Sequence, residues 1–307
     1  MITRREILEA SERISPYLLV TPVMHLPRGG FGHEGPLTLK FELMQCTGSF
    51  KPRGAFNKIL SSSIPEAGVV AASGGNHGAA VAYAARVLGA RAEIFVPEIS
   101  SPIKVARLRE YGAEVNVIGV DYLAALEASN ERAKQTGALV VHAYNQPEVI
   151  AGQGTTGMEF AVQAPDLDTV LVACGGGGFV AGIAAWYRGD VKVVAVEPTR
   201  APSLAMAVVA GHPVDVEIGG IAADSLGARS IGEMAFRIAQ EFIEQVVLVE
   251  DEAIRAAQQA LWNEFRVIAE PGGATALAAL HSGAYQPAPG ERVGVLVCGG
   301  NTDPSVF

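Results

Sequence analysis

The chain contains six lysines, and Lys51 is the one whose neighbours suit covalent chemistry. It lies in the segment Ser49 to Ala55 (SFKPRGA), after an extended apolar run and at the predicted start of a helix. Ser49 is expected to cap that helix, and Pro52 suits its first turn. The positive end of a helix dipole and the nearby Phe50 disfavour an ammonium group, so the pKa of Lys51 should be lowered. Lys51 is therefore a candidate imine-forming nucleophile, with a solvated surface lysine as the alternative.

Two glycine-rich segments follow predicted strands and have the composition of anion sites. They are Ser73 to Gly78 (SGGNHG) and Cys174 to Phe179 (CGGGGF). Backbone N–H groups at the start of a helix suit a carboxylate or a phosphate. Four successive glycines cost backbone entropy, which favours a ligand that approaches the amides of Gly175, Gly176, Gly177 and Gly178 closely. The alternatives are an ordinary turn for the first segment and a flexible loop for the second.

A third segment of this kind, Cys298 to Asn301 (CGGN), follows another apolar run. A free cysteine is commonly a small buried apolar residue. Cys298 could equally offer a neutral thiol to a ring nitrogen.

Short apolar runs and amphipathic segments alternate along most of the chain. A capping box at Thr3 to Glu6 predicts a first helix, and Gly68 to Ser73 and Thr169 to Ala173 are typical buried strands. Short connections between strands and helices indicate parallel sheets with helices on both faces. We expect an α/β protein with two doubly wound sheets, in which ligands bind beyond the carboxyl ends of the strands.

Composition limits the possible functions. The chain has 307 residues, 49% of them hydrophobic, and a net charge of -9 without a basic run, which argues against nucleic acid as a partner. No apolar stretch reaches the roughly 18 residues of a membrane span, and the charged segment Met1 to Ala10 does not resemble a signal peptide. Three scattered cysteines indicate neither disulfides nor a zinc site. We expect a cytoplasmic enzyme.

Two cofactors are compatible with the glycine loop. Gly176 to Ala181 fits the G-x-G-x-x-A dinucleotide fingerprint, and Glu197 ends the next strand, so an NAD-dependent dehydrogenase is one interpretation. It leaves Lys51 and Asn76 without a task. The other interpretation combines a single phosphate on the loop, an imine at Lys51 and a carboxylate on the loop after Ser73. Together these indicate pyridoxal phosphate and an amino acid substrate.

The chain resembles the fold type II pyridoxal phosphate enzymes, and among them the serine and threonine dehydratases and serine racemase. The resemblance is carried by six motifs in the family's order: Ser49 to Ala55, Ser73 to Gly78, Gly152 to Thr155, Gly175 to Gly178, Glu270 to Ala274 and Cys298 to Asn301. It implies a fold like that of the tryptophan synthase β subunit. The implied small domain, residues 68–145, is inserted in a large domain of residues 1–67 and 146–307.

The resemblance also implies a role for each motif. Lys51 is the catalytic residue and binds the cofactor covalently. The other implied cofactor contacts are Phe50, Asn76, Gly175, Gly176, Gly177, Gly178, Glu270 and Cys298. The implied substrate contacts are Ser73, Gly74, Asn76, His77, Gln153 and Thr155.

The implied reaction is β-elimination from L-threonine or L-serine, which yields 2-oxobutanoate or pyruvate plus ammonia, in a homodimer. Gly74 stands where racemases carry a serine acid, so racemisation is disfavoured. Ser203 stands where a metal-binding carboxylate would be, so no metal is expected. A 3-hydroxyaspartate ammonia-lyase remains an alternative, for which His77, Arg53 or Arg229 would have to bind a second carboxylate.

Overall fold

The computed structural model describes residues 1–306, which form an α/β fold with two sheets. Within these residues the strands are β1 (Val23–Leu26), β2 (Leu37–Lys40), β3 (Val69–Ala72), β4 (Ala92–Val96), β5 (Glu114–Val117), β6 (Leu139–Val140), β7 (Thr169–Ala173), β8 (Lys192–Pro198), β9 (Gln245–Val249) and β10 (Val293–Leu296). The α-helices are α1 (Arg4–Ile14), α2 (Lys51–Leu60), α3 (Asn76–Val87), α4 (Pro102–Glu110), α5 (Tyr122–Thr136), α6 (Pro147–Gln163), α7 (Gly178–Tyr187), α8 (Ser203–Ala210), α9 (Ala223–Leu226), α10 (Glu233–Phe242), α11 (Asp251–Phe265) and α12 (Pro271–His281).

The larger sheet has the strand order β1-β2-β10-β7-β8-β9. All neighbouring strands in it are parallel except the edge pair of β1 and β2. The central strands β2, β7 and β10 are buried along their whole length because helices cover both faces. The carboxyl ends of β2, β7 and β10 therefore lie side by side at one edge, and the segments containing Lys51, the four glycines and Cys298 follow them.

The smaller sheet has the order β5-β4-β3-β6, and its strands are all parallel. It is built entirely from residues between β2 and β7 in the chain. The helix α3 follows β3, so its amino end lies at the carboxyl edge of this sheet. The substrate loop predicted at Ser73 to Gly78 spans that junction.

The predicted fold class is confirmed, and several predicted boundaries agree within two residues. The capping box at Thr3 is present, with Glu6 as its partner. Two features were not expected from the sequence: β1 is antiparallel, and residues 147–163 form the 17-residue helix α6. No described helix combines the length and hydropathy required to cross a membrane.

Candidate active site

The side chain of Lys51 lies in a cleft between the two sheets, at the first residue of α2. Its Nζ donates to the carbonyl oxygen of Ala143 at 3.2 Å and lies 5.0 Å from the centroid of the Phe50 ring. Burial lowers the pKa of Lys51 to about 8, although Cys298 and Glu270 nearby act in the opposite direction. A substantial fraction of the amine is therefore neutral near physiological pH, as a nucleophile or base requires.

The prediction that Ser49 caps α2 is wrong. Phe50 is the residue that precedes the helix, it has helical dihedral angles, and its side chain makes no capping hydrogen bond. Ser49 instead forms an isolated antiparallel bridge with Gly299, and its buried hydroxyl has no partner among the described residues. The segment before Lys51 is thus held by backbone pairing with the loop after β10.

Phe50 stacks on Phe179 with ring centroids 3.9 Å apart and an angle of 20° between the planes. Phe179 is the second residue of α7, so this stack connects the lysine helix to the glycine loop. Offset aromatic stacking of this kind adds about 0.5–1.5 kcal/mol to the burial of the rings.

The glycine loop leads directly into α7 and leaves its amides free. The N–H groups of Gly175 to Gly178 have no hydrogen-bond acceptor within residues 1–306. Gly177 has a φ of +86°, which a residue with a side chain rarely adopts. Four free N–H groups at the start of a helix form a binding site for an anion such as a phosphate group.

The loop also needs glycine because its neighbours are close. A Cβ on Gly176 would lie 2.3 Å from Cδ1 of Tyr144, and a Cβ on Gly178 would lie 2.8 Å from the carbonyl oxygen of Tyr144. The carbonyl that holds Lys51 belongs to Ala143, the residue before this tyrosine. Residues 143–144 therefore contact both the lysine and the anion loop.

Asn76 and Glu270 meet across the cleft. The Nδ2 of Asn76 donates to Oε1 of Glu270 at 2.6 Å, and Oδ1 of Asn76 accepts from Nδ2 of Asn301 at 2.6 Å. Burial raises the pKa of Glu270 to about 7, against the lowering effect of the Asn76 hydrogen bond. These residues line a cavity of about 50 Å³ together with Gly74, Gly75, Lys104, Arg107 and Asp224.

The other predicted substrate residues differ in position. Ser73 accepts a hydrogen bond at its Oγ from the N–H of Gly75, and Gly74 lines the cavity. His77 is buried, and its Nε2 donates to the carbonyl oxygen of Val141 at 2.8 Å. Burial lowers the pKa of His77 to about 3, so the ring is neutral and its backbone N–H is what it can offer to an anion.

Gln153 and Thr155 are buried on α6, behind the lysine helix. The hydroxyl of Thr155 accepts from Nη1 of Arg53 at 3.2 Å and donates to the carbonyl oxygen of Gly152 at 2.7 Å. A Cβ on Gly54 would lie 2.5 Å from Nε2 of Gln153. The contacts of both residues are with α2 and its surroundings.

Cys298 is buried at the carboxyl end of β10. Its Sγ donates to the carbonyl oxygen of Gly272 at 3.5 Å. Burial, with the charge of Glu270 as a second cause, raises the pKa of the Cys298 thiol. The group is therefore a neutral thiol at physiological pH.

Comparison with known proteins identifies the family. Residues 14–299 match the family described as pyridoxal-phosphate dependent enzyme. The chain belongs to this family. It is 35% identical to the L-threonine ammonia-lyase of Thermotoga maritima over 100% of this chain and 77% of that protein.

Two solved structures are similar over nearly their whole length. Maize serine racemase superposes with a TM-score of 0.93 at 32% identity, covering 99% of this chain and 95% of that one. A threonine deaminase from the organism abbreviated T.th. superposes with a TM-score of 0.90 at 36% identity, covering 98% of this chain and 99% of that one. The predicted fold type and the predicted pyridoxal phosphate cofactor are thus confirmed.

The site has the groups that pyridoxal phosphate needs. A partly neutral amine, four N–H groups without acceptors in the described residues and a neutral thiol lie on adjacent segments after β2, β7 and β10. The dehydrogenase interpretation required Glu197 to bind a ribose. Its carboxylate is instead buried and accepts from the N–H groups of Leu204 and Ala205 at 2.8 and 2.9 Å.

Replacing Gly176 by alanine is expected to strain the glycine loop against Tyr144. Overpacking of this kind costs about 1–3 kcal/mol, and a shifted loop would also bind the cofactor less tightly. Urea denaturation and titration of the apoprotein with pyridoxal phosphate measure the two effects. A Gly176→Ala protein with unchanged stability and affinity would show that the tyrosine moves aside freely.

Proposed function

We propose that the protein is an ammonia-lyase that acts on L-threonine or L-serine, or on both, by β-elimination. The products are 2-oxobutanoate or pyruvate, together with ammonia. The observation that carries this proposal is the position of the partly neutral Lys51 amine, in a cleft between an anion-binding glycine loop and the amino end of α3. The similarity to an L-threonine ammonia-lyase and to a threonine deaminase supports the choice of substrates.

Cofactor binding is assigned to the residues after the three strands. Gly175 to Gly178 would bind the phosphate through their free N–H groups, Lys51 would form the covalent link, and Asn76 would contact the ring oxygen. Phe50 and Glu270 would lie against the ring. The thiol of Cys298 would face the ring nitrogen; because it is neutral, it would not keep that nitrogen protonated.

When bound, pyridoxal phosphate supplies an aldehyde for the substrate amine and a ring that withdraws electrons and so makes the α C–H acidic. The free N–H groups in the first turn of α3, with Ser73 and Asn76, would hold the substrate carboxylate. Lys51 in its neutral form would remove the α-proton as general base. Its carbonyl partner, Ala143, orients the amine by accepting one of its hydrogen bonds.

Elimination is favoured over racemisation because Gly74 has no group that transfers a proton. Racemisation would need an acid on the face opposite Lys51, and Gly74 lines the cavity without one. The experiment is to incubate the enzyme with L-serine and L-threonine and to assay ammonia, the 2-oxo acid and the D-amino acid separately. Formation of D-serine faster than pyruvate, or no 2-oxo acid at all, would contradict the proposal.

3-Hydroxyaspartate belongs in the same assay. Of the three residues considered for a second carboxylate, Arg53 and His77 are buried in other contacts and Arg229 is exposed. The cations lining the cavity are Lys104, which pairs with Asp224, and Arg107, which donates to Asn301. Because both are already paired, we expect 3-hydroxyaspartate to be the poorest of the three substrates.

The lowered pKa of Lys51 predicts how covalent capture of the cofactor depends on pH. Only the neutral amine attacks an aldehyde, so the capture rate should fall about tenfold per pH unit below about 8 and level off above it. Mixing apoprotein with pyridoxal phosphate and trapping with borohydride measures this rate. A rate that keeps rising to about pH 10, the usual range of a lysine, would show that the pKa of Lys51 is not lowered.

We also propose that the protein acts as a cytoplasmic homodimer. Leu19, Val20 and Val162 are 55%, 75% and 77% exposed, and they lie on segments joined by hydrogen bonds from Thr21 to Glu159. An exposed apolar face of this kind is typical of an interface. Light scattering after size-exclusion chromatography tests it, and a monomer at micromolar concentration would contradict it.

A further inference from the structure

Asn301 joins three parts of the active site and has no role in the assignments above. Its Nδ2 donates to the carbonyl oxygen of Thr47 at 2.8 Å and to Oδ1 of Asn76 at 2.6 Å. Its Oδ1 accepts from Nη1 of Arg107 at 2.6 Å. Arg107 lies on α4, next to the smaller sheet, whereas Asn301 follows the last strand of the larger sheet.

The partners of Asn301 determine which way its amide points. A guanidinium group only donates hydrogen bonds, and a backbone carbonyl only accepts them. The oxygen of Asn301 must therefore face Arg107, and its NH2 group must face Thr47. The same NH2 group meets Asn76, which can only answer with its oxygen.

This arrangement also determines the orientation of Asn76. With Oδ1 turned towards Asn301, the NH2 group of Asn76 points to the opposite side, where it donates to Glu270 at 2.6 Å. An amide NH2 group has two hydrogens, so one remains for another acceptor in the cavity. Arg107, Asn301, Asn76 and Glu270 all line that cavity.

We propose that Asn301 is a positioning residue that makes Asn76 present a hydrogen-bond donor to the ring oxygen of the cofactor, and that Arg107 holds Asn301 in the required orientation. The inference rests on the proposed role of Asn76. A donor stabilises an ionised ring oxygen, whereas an amide oxygen would stabilise the protonated one. The side chains of Arg107 and Asn301 would thus set the protonation state of a cofactor atom that neither of them touches.

The test is Asn301→Asp, which keeps the size of the side chain and removes its NH2 group. The carboxylate still accepts from Arg107, but it can only accept from Asn76, so the Asn76 amide should rotate and turn its oxygen to the cofactor. We expect a dissociation constant for pyridoxal phosphate about tenfold higher, as for loss of one hydrogen bond to a charged group. The absorbance of the bound cofactor should shift from its long-wavelength to its short-wavelength band.

Arg107→Ala provides a second test that does not alter Asn301 and covers the case in which Asn301→Asp does not fold. It frees the Asn301 amide to rotate, so the same spectral shift should appear in weaker form. Arg109→Ala is the matched control, because Arg109 is an exposed arginine on the same helix; its spectrum and affinity should equal those of the wild type.

A wild-type ratio of the two bands in both Asn301→Asp and Arg107→Ala would overturn the inference. That result leaves the proposed function intact, since the wild-type enzyme would still bind the cofactor through Lys51 and release ammonia. Failure of the proposed function would appear differently, as a wild-type protein that binds the cofactor without releasing ammonia from any of the three amino acids.

Discussion

Lys51→Ala is expected to reduce ammonia release from L-threonine and L-serine by about a thousandfold or more, because a positioned general base alone contributes about 10²–10⁴. The same substitution removes the amine that captures the cofactor. Borohydride treatment of the variant with pyridoxal phosphate should therefore leave no covalent adduct. Steady-state assays of the 2-oxo acid and mass spectrometry of the trapped protein measure the two losses.

Lys58→Ala is the matched control for this substitution. Lys58 lies on the same helix and pairs with Glu148 at 3.0 Å, on the side away from the cleft. Its loss should change stability by about 1 kcal/mol or less and leave adduct formation unchanged. Normal turnover in Lys51→Ala, or loss of the adduct in Lys58→Ala, would refute the assignment of Lys51.

The regular elements of the fold were largely predictable because their signals are local. The capping box at Thr3 and the predicted stop at Gly137, which caps α5 with a φ of +73°, each depend on a few neighbouring residues. The alternation of strands and helices was sufficient to predict the α/β class. The proposed boundaries of the two domains, residues 1–67 with 146–307 and residues 68–145, stay a prediction.

The helix α6 was missed because its sequence is a poor helix former. Gly152, Gly154 and Gly157 lie in its interior, where each glycine costs about 1 kcal/mol relative to alanine. They are required by close packing: a Cβ on Gly152 would lie 2.4 Å from the carbonyl oxygen of Arg53, and one on Gly154 2.8 Å from that of Gly182. Tertiary contacts of this kind cannot be read from local propensity.

The candidate site was predictable where a motif carries the chemistry and unpredictable where distant residues meet. Lys51 and the four glycines follow strands, so the topology brings them together. Arg107 and Asn301 are 194 positions apart, and nothing in either local sequence indicates that they contact. The same is true of Arg53, which the sequence offered as a ligand for a substrate carboxylate.

Arg53 instead belongs to a buried cluster of charges behind the lysine helix. Its guanidinium donates to both carboxylate oxygens of Glu42 at 2.7 Å and to Glu159 at 3.0 Å. Lys40 donates to Glu159 at 2.7 Å, so two cations face two carboxylates. Burial alone would raise the pKa of Glu42, but Arg53 outweighs burial and holds that pKa below its usual value.

Arg53→Met is expected to lower the free energy of unfolding by about 3–5 kcal/mol, because it leaves the Glu42 carboxylate buried without its partner. Urea denaturation of the holoenzyme measures this loss. Turnover at temperatures where the variant stays folded should also fall, since Arg53 is two residues after Lys51 in the same helix. The control is Arg237→Met, which removes an exposed pair with Glu233 and should cost about 0.5 kcal/mol or less.

A double variant separates the cost of an unpaired charge from the loss of packing. Arg53→Met combined with Glu42→Gln removes one charge of each sign and leaves Lys40 paired with Glu159. If the unpaired carboxylate causes the loss, the double variant should be more stable than Arg53→Met alone. If packing causes it, the second substitution should destabilise the protein further. The first outcome would establish that Arg53 anchors the lysine helix by neutralising Glu42.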